Sequence, residues 1–520
     1  MYEVILIISF TIPVIYLTGI LFCDISFIDY SCFCSRQIQS DILNSLKMRK
    51  VDHMTYDEAL LYIEKVGKKG SVPGLGPITM LLSKLNNPQE KLSIIHVAGT
   101  NGKGSICTFL EMLYRAENKR VGRYISPTIH EYLERFQING EFMEKSCFAL
   151  LLSEVRRAVE EMESEGHLSP TAFEIETAIA FLYFVKEKTD IVILEVGMGG
   201  REDATNVIKN PLCTVFANIG MDHMQYLGDT LESIAYEKAG IIKCGCPAIA
   251  YPGDERTINV LKKEFETVNS DNTLSHAYLK DNSASDSSIA DNSMADNVKP
   301  RFSVADTSKL SILSETLDGS TFIYKGEKYH IPLAGTFQIY NAITAIETKL
   351  CMDGHVIGAA LSNARWEGRF EKISDTPLFI KDGAHNIQGV TALKESLQKH
   401  FTNARFIFII GVLRDKEYEK MMECLCPMAD ACFLIKPQNQ RGLDVETLAG
   451  VVNRYCDDVT CCESVASAVK KAMVKYKLLD NRQDSGEDEA LNAACSEGEI
   501  VLVAWGSLSY IGEVNIKDCI

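Results

Sequence analysis

Ile94-Ile95-His96-Val97-Ala98-Gly99-Thr100-Asn101-Gly102-Lys103-Gly104-Ser105 decides how this chain is read. An apolar run ends in a glycine-rich turn carrying one lysine and one serine, and a helical pattern follows over 106–115. Backbone N–H groups in such a turn point inward, and the next helix brings its positive end to the same spot. Phosphate oxygens therefore find donors without side chains. Lys103 adds a point charge over the outer phosphates, and a hydroxyl can reach Mg²⁺. The usual phosphate-loop spacing puts Ser or Thr directly after the lysine. Here Gly104 intervenes and the upstream glycine is Gly99, so the spacing departs from that template while its chemistry is kept.

At 520 residues the chain is too long for one core, and two or more domains are expected. With 46% hydrophobic and 24% charged residues its composition is that of a globular protein. A net charge of −17 argues against nucleic-acid binding, because a phosphate backbone is repelled. A local cationic pocket for a small anion is still compatible with that field. The 17 cysteines are odd in number and irregularly spaced, with C-x-C pairs such as Cys244/Cys246 and Cys424/Cys426 and no C-x-x-C. That pattern fits neither a zinc site nor a thioredoxin motif, and points to free thiols in a reducing cytoplasm.

Working outward from the phosphate loop, short apolar runs at 92–97, 190–196, 212–219 and 247–251 read as buried strands. A second series lies at 378–381, 406–410, 432–435 and 500–505. Helical patterns at 106–115, 173–186, 231–239, 390–400 and 464–477 separate them, which predicts two parallel sheets covered on both faces. The seam falls near 355–368, giving a first domain over 48–362 and a second over 363–520. Stretches 270–297 and 480–499 read as polar insertions too poor in large apolar residues to order themselves. Residues 1–47 form a separate apolar extension, in which 4–22 is long enough for a membrane span but lacks a preceding Lys or Arg. An over-extended start is the favoured reading, ahead of an anchor or an extra helix, with Met48 and Met54 as candidate starts.

The same strand-end logic locates further chemistry. Glu195 ends one apolar run and is followed by Gly197, Gly199 and Gly200, then Asp203-Ala204-Thr205-Asn206. A carboxylate at a sheet's carboxyl edge beside a phosphate loop suits a metal ion. Asp222-His223 repeats the arrangement, a carboxylate and an imidazole past a strand. Lys238 reads on its own as a cation at a helix end. In the second domain Lys381-Asp382-Gly383-Ala384-His385-Asn386 again follows a strand, with Arg369 upstream. There Asp382 can hold a ribose hydroxyl, and His385 can stack on a base or orient a carboxylate.

Taken together, HVAGTNGKGS, EVGMGGREDATNV, DHMQYLG with EKAGIIK, GTFQIYNAITAI, DGAHN and VLVAWGSLSYIGEV resemble the folylpolyglutamate synthase/dihydrofolate synthase family of the Mur-ligase superfamily. The resemblance runs from about Met54 to Ile520, apart from the two insertions. It implies a P-loop-type, mostly parallel ATPase domain followed by a smaller Rossmann-like α/β domain. It implies that Gly99, Thr100, Asn101, Gly102, Lys103, Gly104 and Ser105 hold the ATP phosphates, with Asn341, Arg369 and Asp382 contacting the nucleotide. Ser126, Glu195 and His223 match the residues that hold Mg²⁺. Lys238 matches a lysine that the family carbamylates to bridge a second ion, which reverses its reading as a plain helix-end cation. Thr171, Ala172, Phe173 and Glu174 resemble the segment that lines the dihydropteroate pocket, and His385 the one that helps orient glutamate. Two positions depart from the pattern: Thr128 and not His follows Ser126-Pro127, and the pterin segment reads Thr-Ala-Phe-Glu.

The implied reaction joins L-glutamate to a folate, and also to dihydropteroate in bifunctional members, using ATP and an acyl-phosphate intermediate. Lys103, Lys238 and His385 are the expected catalytic residues. The expected state is a cytoplasmic monomer whose partners are small molecules, with no membrane role unless 1–47 is translated. A related ligase with another carboxylate acceptor, or a non-catalytic nucleotide-binding module, are the alternatives.

Overall fold

The computed structural model describes residues 54–68, 70, 74–270, 300–484 and 498–516. The expected extension at 1–47 lies outside these residues, as do most of the two insertions at 270–297 and 480–499. All described residues belong to one unit, Met54–Ile520.

The first sheet holds β1 (Ile94–Ala98), β2 (Val121–Tyr124), β3 (Phe136–Ile138), β4 (Glu141–Phe142), β5 (Ile191–Glu195), β6 (Cys213–Phe216), β7 (Ala248–Ala250) and β8 (Phe302–Val304). Their order is β4-β3-β2-β5-β1-β6-β7-β8. β1 runs parallel to β5 on one side and β6 on the other. Its side chains alternate between two packed faces, as a strand's must. Ile94 joins the core under helices Lys145–Ser164 and Ala172–Lys186. Ile95 and Val97 pack under helices Lys103–Arg115 and Thr336–Asp353. Covered on both faces, the strand needs an unbroken apolar run, and each such side chain contributes roughly 1.5–3 kcal/mol by burial.

His96 interrupts that run and is fully buried, so it needs a partner. Its Nε2 lies 2.8 Å from Thr205 Oγ1. Burial pushes its pKa down to about 3, so the ring is neutral.

The antiparallel edge of this sheet comes from a hairpin whose turn is Asn139-Gly140, at φ 52° and 82°. Asn-Gly is the residue pair that such a turn favours. A small antiparallel sheet, absent from the expectation of two parallel ones, follows: β9 (Leu310–Thr316), β10 (Gly319–Tyr324) and β11 (Glu327–Ile331). β9 is largely exposed, so it carries no apolar run to betray it. Lys325-Gly326, at φ 50° and 90°, makes its second turn.

The second sheet holds β12 (Glu371–Asp375), β13 (Leu378–Asp382), β14 (Arg405–Gly411), β15 (Ala429–Leu434), β16 (Val459–Cys461) and β17 (Ile500–Gly506), in the order β12-β13-β17-β14-β15-β16. β12 is antiparallel and the rest are parallel. Residues at or just past the carboxyl ends of β1, β5 and β6 line one cavity together with those at the ends of β13 and β17.

Candidate active site

The expected strand 212–219 stops at Phe216, and the four residues after it leave the sheet to build the site. Asn218 O accepts from both Thr100 N–H at 2.8 Å and Asn101 N–H at 3.1 Å. Thr100 Oγ1 donates to Gly220 O at 3.0 Å. The first half of the phosphate loop is thus fixed by protein, and the amides at the start of helix Lys103–Arg115 remain for an anion. Gly102 precedes that helix at φ 95°, and a Cβ there would strike Asn341. A Cβ on Gly104 would strike the Trp366 ring. The two glycines therefore let the linker and helix Thr336–Asp353 close onto the loop.

One cavity is lined by Gly99–Ser105 together with Ser126, Glu195, His223, Lys238, Asn341, Arg369, Asp382 and His385. Fourteen residues of the chain were expected to serve nucleotide or metal in this way, and the fold brings them to one place although they span both sheets. Lys103 Nζ sits 3.7 Å from Glu195 Oε1. Glu195 is 4% exposed; burial raises its pKa to about 7, against the pull of Lys103 and the Ser126 backbone N–H. Its loop is held by Asp203, which accepts from Met198 N–H at 2.8 Å and from Thr205 N–H at 3.0 Å.

Lys238 points inward from helix Leu231–Ala239 and donates to Gly99 O at 2.9 Å. Burial, reinforced by Lys103, lowers its pKa to about 7. Desolvation likewise brings His223 down to about 4, with Lys416 adding to the effect. His385 is also lowered to about 4 by burial, and its Nδ1 donates to Gly383 O at 2.8 Å. Asp382 accepts from Phe370 N–H at 2.6 Å and Ala384 N–H at 2.8 Å. Its carboxylate shapes the turn before it offers anything to a ribose. Burial raises its pKa to about 6 while Arg369 opposes the rise. Asn341 donates to Gln338 Oε1 at 3.1 Å and leaves its own buried Oδ1 without a partner.

None of the four residues Thr171–Glu174 lines this cavity, although the Phe173 ring abuts Gly197, which does. Thr171 caps helix Ala172–Lys186 in a reciprocal box with Glu174, whose Oε1 also accepts from Ile78 N–H at 3.1 Å. Phe173 packs beside Tyr124, with ring centroids 6.1 Å apart. The geometry accounts for these residues as a helix start.

Residues absent from the sequence reading complete the site. Gln388 accepts from Asn101 Nδ2 at 2.7 Å, and Lys416 Nζ lies 2.6 Å from Asp222 Oδ1. Lys416 lies past the end of β14, as Gly383–Asn386 lie past the end of β13, so strand-end position was a usable signal for it. Nothing in the sequence marks Asn218, which acts through its backbone.

Ser126, Glu195, His223 and Lys238 present a hydroxyl, a carboxylate, a neutral imidazole and an amine to one cavity. A buried carboxylate whose charge lacks full compensation is a fit place for a divalent cation. Among the described residues no cluster of three or more His, Cys, Asp or Glu is arranged as a metal site, so the hydroxyl and the lysine matter to the fit. Among those residues, too, no helix is long and apolar enough to cross a membrane.

Comparison with known proteins places this architecture. The Mur ligase middle domain matches residues 97–348, and the Mur ligase glutamate ligase domain matches 368–480. The dihydrofolate synthase/folylpolyglutamate synthase of Bacillus subtilis is 34% identical over 390 residues, covering 72% of this chain and 84% of that protein. A Mycobacterium tuberculosis folylpolyglutamate synthase structure with ADP and AMPPCP superposes with a TM-score of 0.72 at 28% identity, covering 89% of this chain and 99% of that one. An FPGS–AMPPCP–folate complex superposes at 0.67 and 26% identity, over 89% and 98%. The chain belongs to the folylpolyglutamate synthase/dihydrofolate synthase family of Mur ligases.

Proposed function

We propose that this protein is an ATP-dependent ligase that adds L-glutamate to a folate. The observation that carries the reading is the single cavity in which the phosphate loop, Glu195, Lys238 and the second sheet's Asp382–His385 turn converge. A relative solved with an ATP analogue and folate together supports the same pair of substrates.

In this reading the folate carboxylate attacks the γ-phosphate, giving an acyl phosphate and ADP. The amine of glutamate then displaces phosphate. Lys103 and the helix amides neutralise charge that develops on the phosphoryl oxygens. Ser126, Glu195 and His223 would hold Mg²⁺, and Lys238, once carbamylated, a second ion. Bound there, the metal supplies electrostatic stabilisation of phosphate charge. Lys238 suits carbamylation because CO₂ reacts with a free amine, and burial lowers this amine's pKa to about 7. Arg369 and Asn341 would hold the nucleotide, and His385, neutral and anchored through Nδ1, offers Nε2 to the incoming amino acid. The covering edge of the second sheet keeps water from the acyl phosphate.

The test is ADP release coupled to product formation with Mg²⁺, ATP and L-glutamate, offering dihydropteroate and tetrahydrofolate separately. Turnover with both marks a bifunctional enzyme, and with tetrahydrofolate alone a polyglutamylating one. Silence with both, in a folded protein that binds ATP, overturns the folate reading and favours another carboxylate.

A further inference from the structure

Asp222, past the end of β6, is the point where side chains of the two sheets meet. Lys416 reaches it from the loop after β14, with Nζ 2.6 Å from Oδ1 and the two side chains 7% and 8% exposed. Asn386, past β13, donates through Nδ2 to Asp222 Oδ2 at 3.1 Å and to Asn101 Oδ1 at 3.1 Å. Asn101 answers with its own Nδ2, 3.1 Å from Asn386 Oδ1. His385 Nε2 stands 3.8 Å from Oδ2, and His223 Nε2 stands 4.0 Å from it. One carboxylate of the first sheet thus binds a cation and an amide of the second, with the His385 ring standing close by.

We propose that the Lys416–Asp222 pair is the closure latch of the ligase, a positioning pair that holds the second sheet's edge over the phosphate loop. The inference rests on the ligase reading above. Out of water, an ion pair of this geometry is far stronger than an exposed one, and separating it strands a buried charge. Asn386 hangs on the same carboxylate, so the position of Asp222 sets that of Asn386.

A loosened latch has a specific chemical signature. Water enters and attacks the acyl phosphate in place of the amine. The bond between acyl oxygen and phosphate is then lost to hydrolysis, the folate carboxylate is regenerated and inorganic phosphate leaves. ATP is consumed and no amide forms.

The experiment uses the full chain with Lys416→Met, Lys416→Arg, Asp222→Asn and the double variant Asp222→Asn/Lys416→Met. ADP and glutamylated product are measured separately, and small-angle scattering gives the radius of gyration without ligands. In Lys416→Met, product formation should fall about 100-fold, the scale set by losing alignment at a reacting centre. ADP release should fall less, so the ADP-to-product ratio climbs above one and the radius of gyration grows. Lys416→Arg should bring the ratio back toward one. Adding Asp222→Asn to Lys416→Met should change little more, because the partners act as a unit. If Lys416→Met does not fold, Lys416→Gln, which keeps a hydrogen bond to Asp222, is read the same way. A ratio of one with unchanged scattering overturns the latch. A raised KM for L-glutamate alone, with the ratio still at one, also overturns it and puts the ammonium on the amino acid. If the unmodified chain glutamylates no folate, the ligase reading fails, and the scattering comparison still decides the latch.

Discussion

Among the described residues, two lysines lie buried in the first region of this chain, and they are buried in opposite ways. Lys349, fully buried near the end of helix Thr336–Asp353, has Glu117 Oε1 at 2.6 Å and Asp353 as a second ion-pair partner. The Tyr114 ring covers it at 4.4 Å. Lys238, 4% exposed, has a backbone carbonyl at 2.9 Å, and Asp203 and Asp222 act on it only from farther off. A buried cation needs a counter-charge or sheds its proton. Lys349 is given two carboxylates and serves as a strut. Lys238 is given none in contact and is left with a reactive amine. Burial by itself does not separate the two, but their partners do.

That contrast can be tested with a third cation, Lys103, whose side chain is 15% exposed at the phosphate loop. Lys103→Ala should lower kcat on the order of 1000-fold with the melting temperature little changed, because it removes transition-state charge stabilisation. Retained turnover would strip the loop of its assigned role. Lys238→Ala comes next, with a loss of about 100-fold, the scale for a group that tunes a metal site, and partial recovery with small added carboxylates. Normal rates in that variant would make Lys238 a strut like Lys349. For Lys349→Met the sign of the contrast reverses. It should cost about 3–5 kcal/mol of stability, by taking from Glu117 and Asp353 the buried ammonium they share, while the folded fraction keeps its kcat. Urea titration and initial rates on one preparation separate the two effects.

The pH dependence sharpens the same point. Because the folded pKa of Lys238 lies near about 7, below the ordinary 10.5, the unfolded chain binds the extra proton between these values. Its contribution to stability is therefore lost as pH falls through that window and is regained as pH rises. Carbamylation needs the free amine, so a ¹³C-carbonate label should give a carbamate signal at about pH 8 that fades by about pH 6. A signal unchanged across that range would mean the amine is already shielded from titration. The smallest effect is expected at Thr171→Ala, about 1 kcal/mol for a lost helix cap and no change in KM for dihydropteroate. A tenfold rise in that KM at constant stability would return the segment to the substrate site.

The elements that sequence revealed best were those with one physical demand repeated along them. Strands covered on both faces, such as β1 and β5, require continuous apolar runs and were visible. Glycines at Gly99, Gly102 and Gly104 and polar residues just past strand ends marked the ligand edge, and the cavity collects them. Exposed β9 follows no such rule and passed unnoticed, although the Lys325-Gly326 turn was a legible hint. Asn218 contributes a carbonyl that any residue owns, so no side-chain pattern could signal it. Lys416 lay in plain view past a strand, but a lone lysine in a loop reads as solvated until its acidic partner, 194 residues away in sequence, is located. Thr171–Glu174 shows the converse. A capping box has a strong local signature, and a threonine followed three residues later by glutamate announces a helix start whatever else it does.

The indole pressed against Gly104 has a consequence for how this protein can be watched. The chain has two tryptophans. Trp505 is sealed in the second sheet's core, whereas Trp366 sits partly open at the mouth of the phosphate helix with the Arg123 guanidinium 5.6 Å from its ring. Emission from Trp505 is expected to change less than that of Trp366 on adding nucleotide, and a Trp366→Phe variant that loses the change checks the assignment. The molecule thus carries its own optical gauge of site occupancy, readable in a stopped-flow mixer without dye or label.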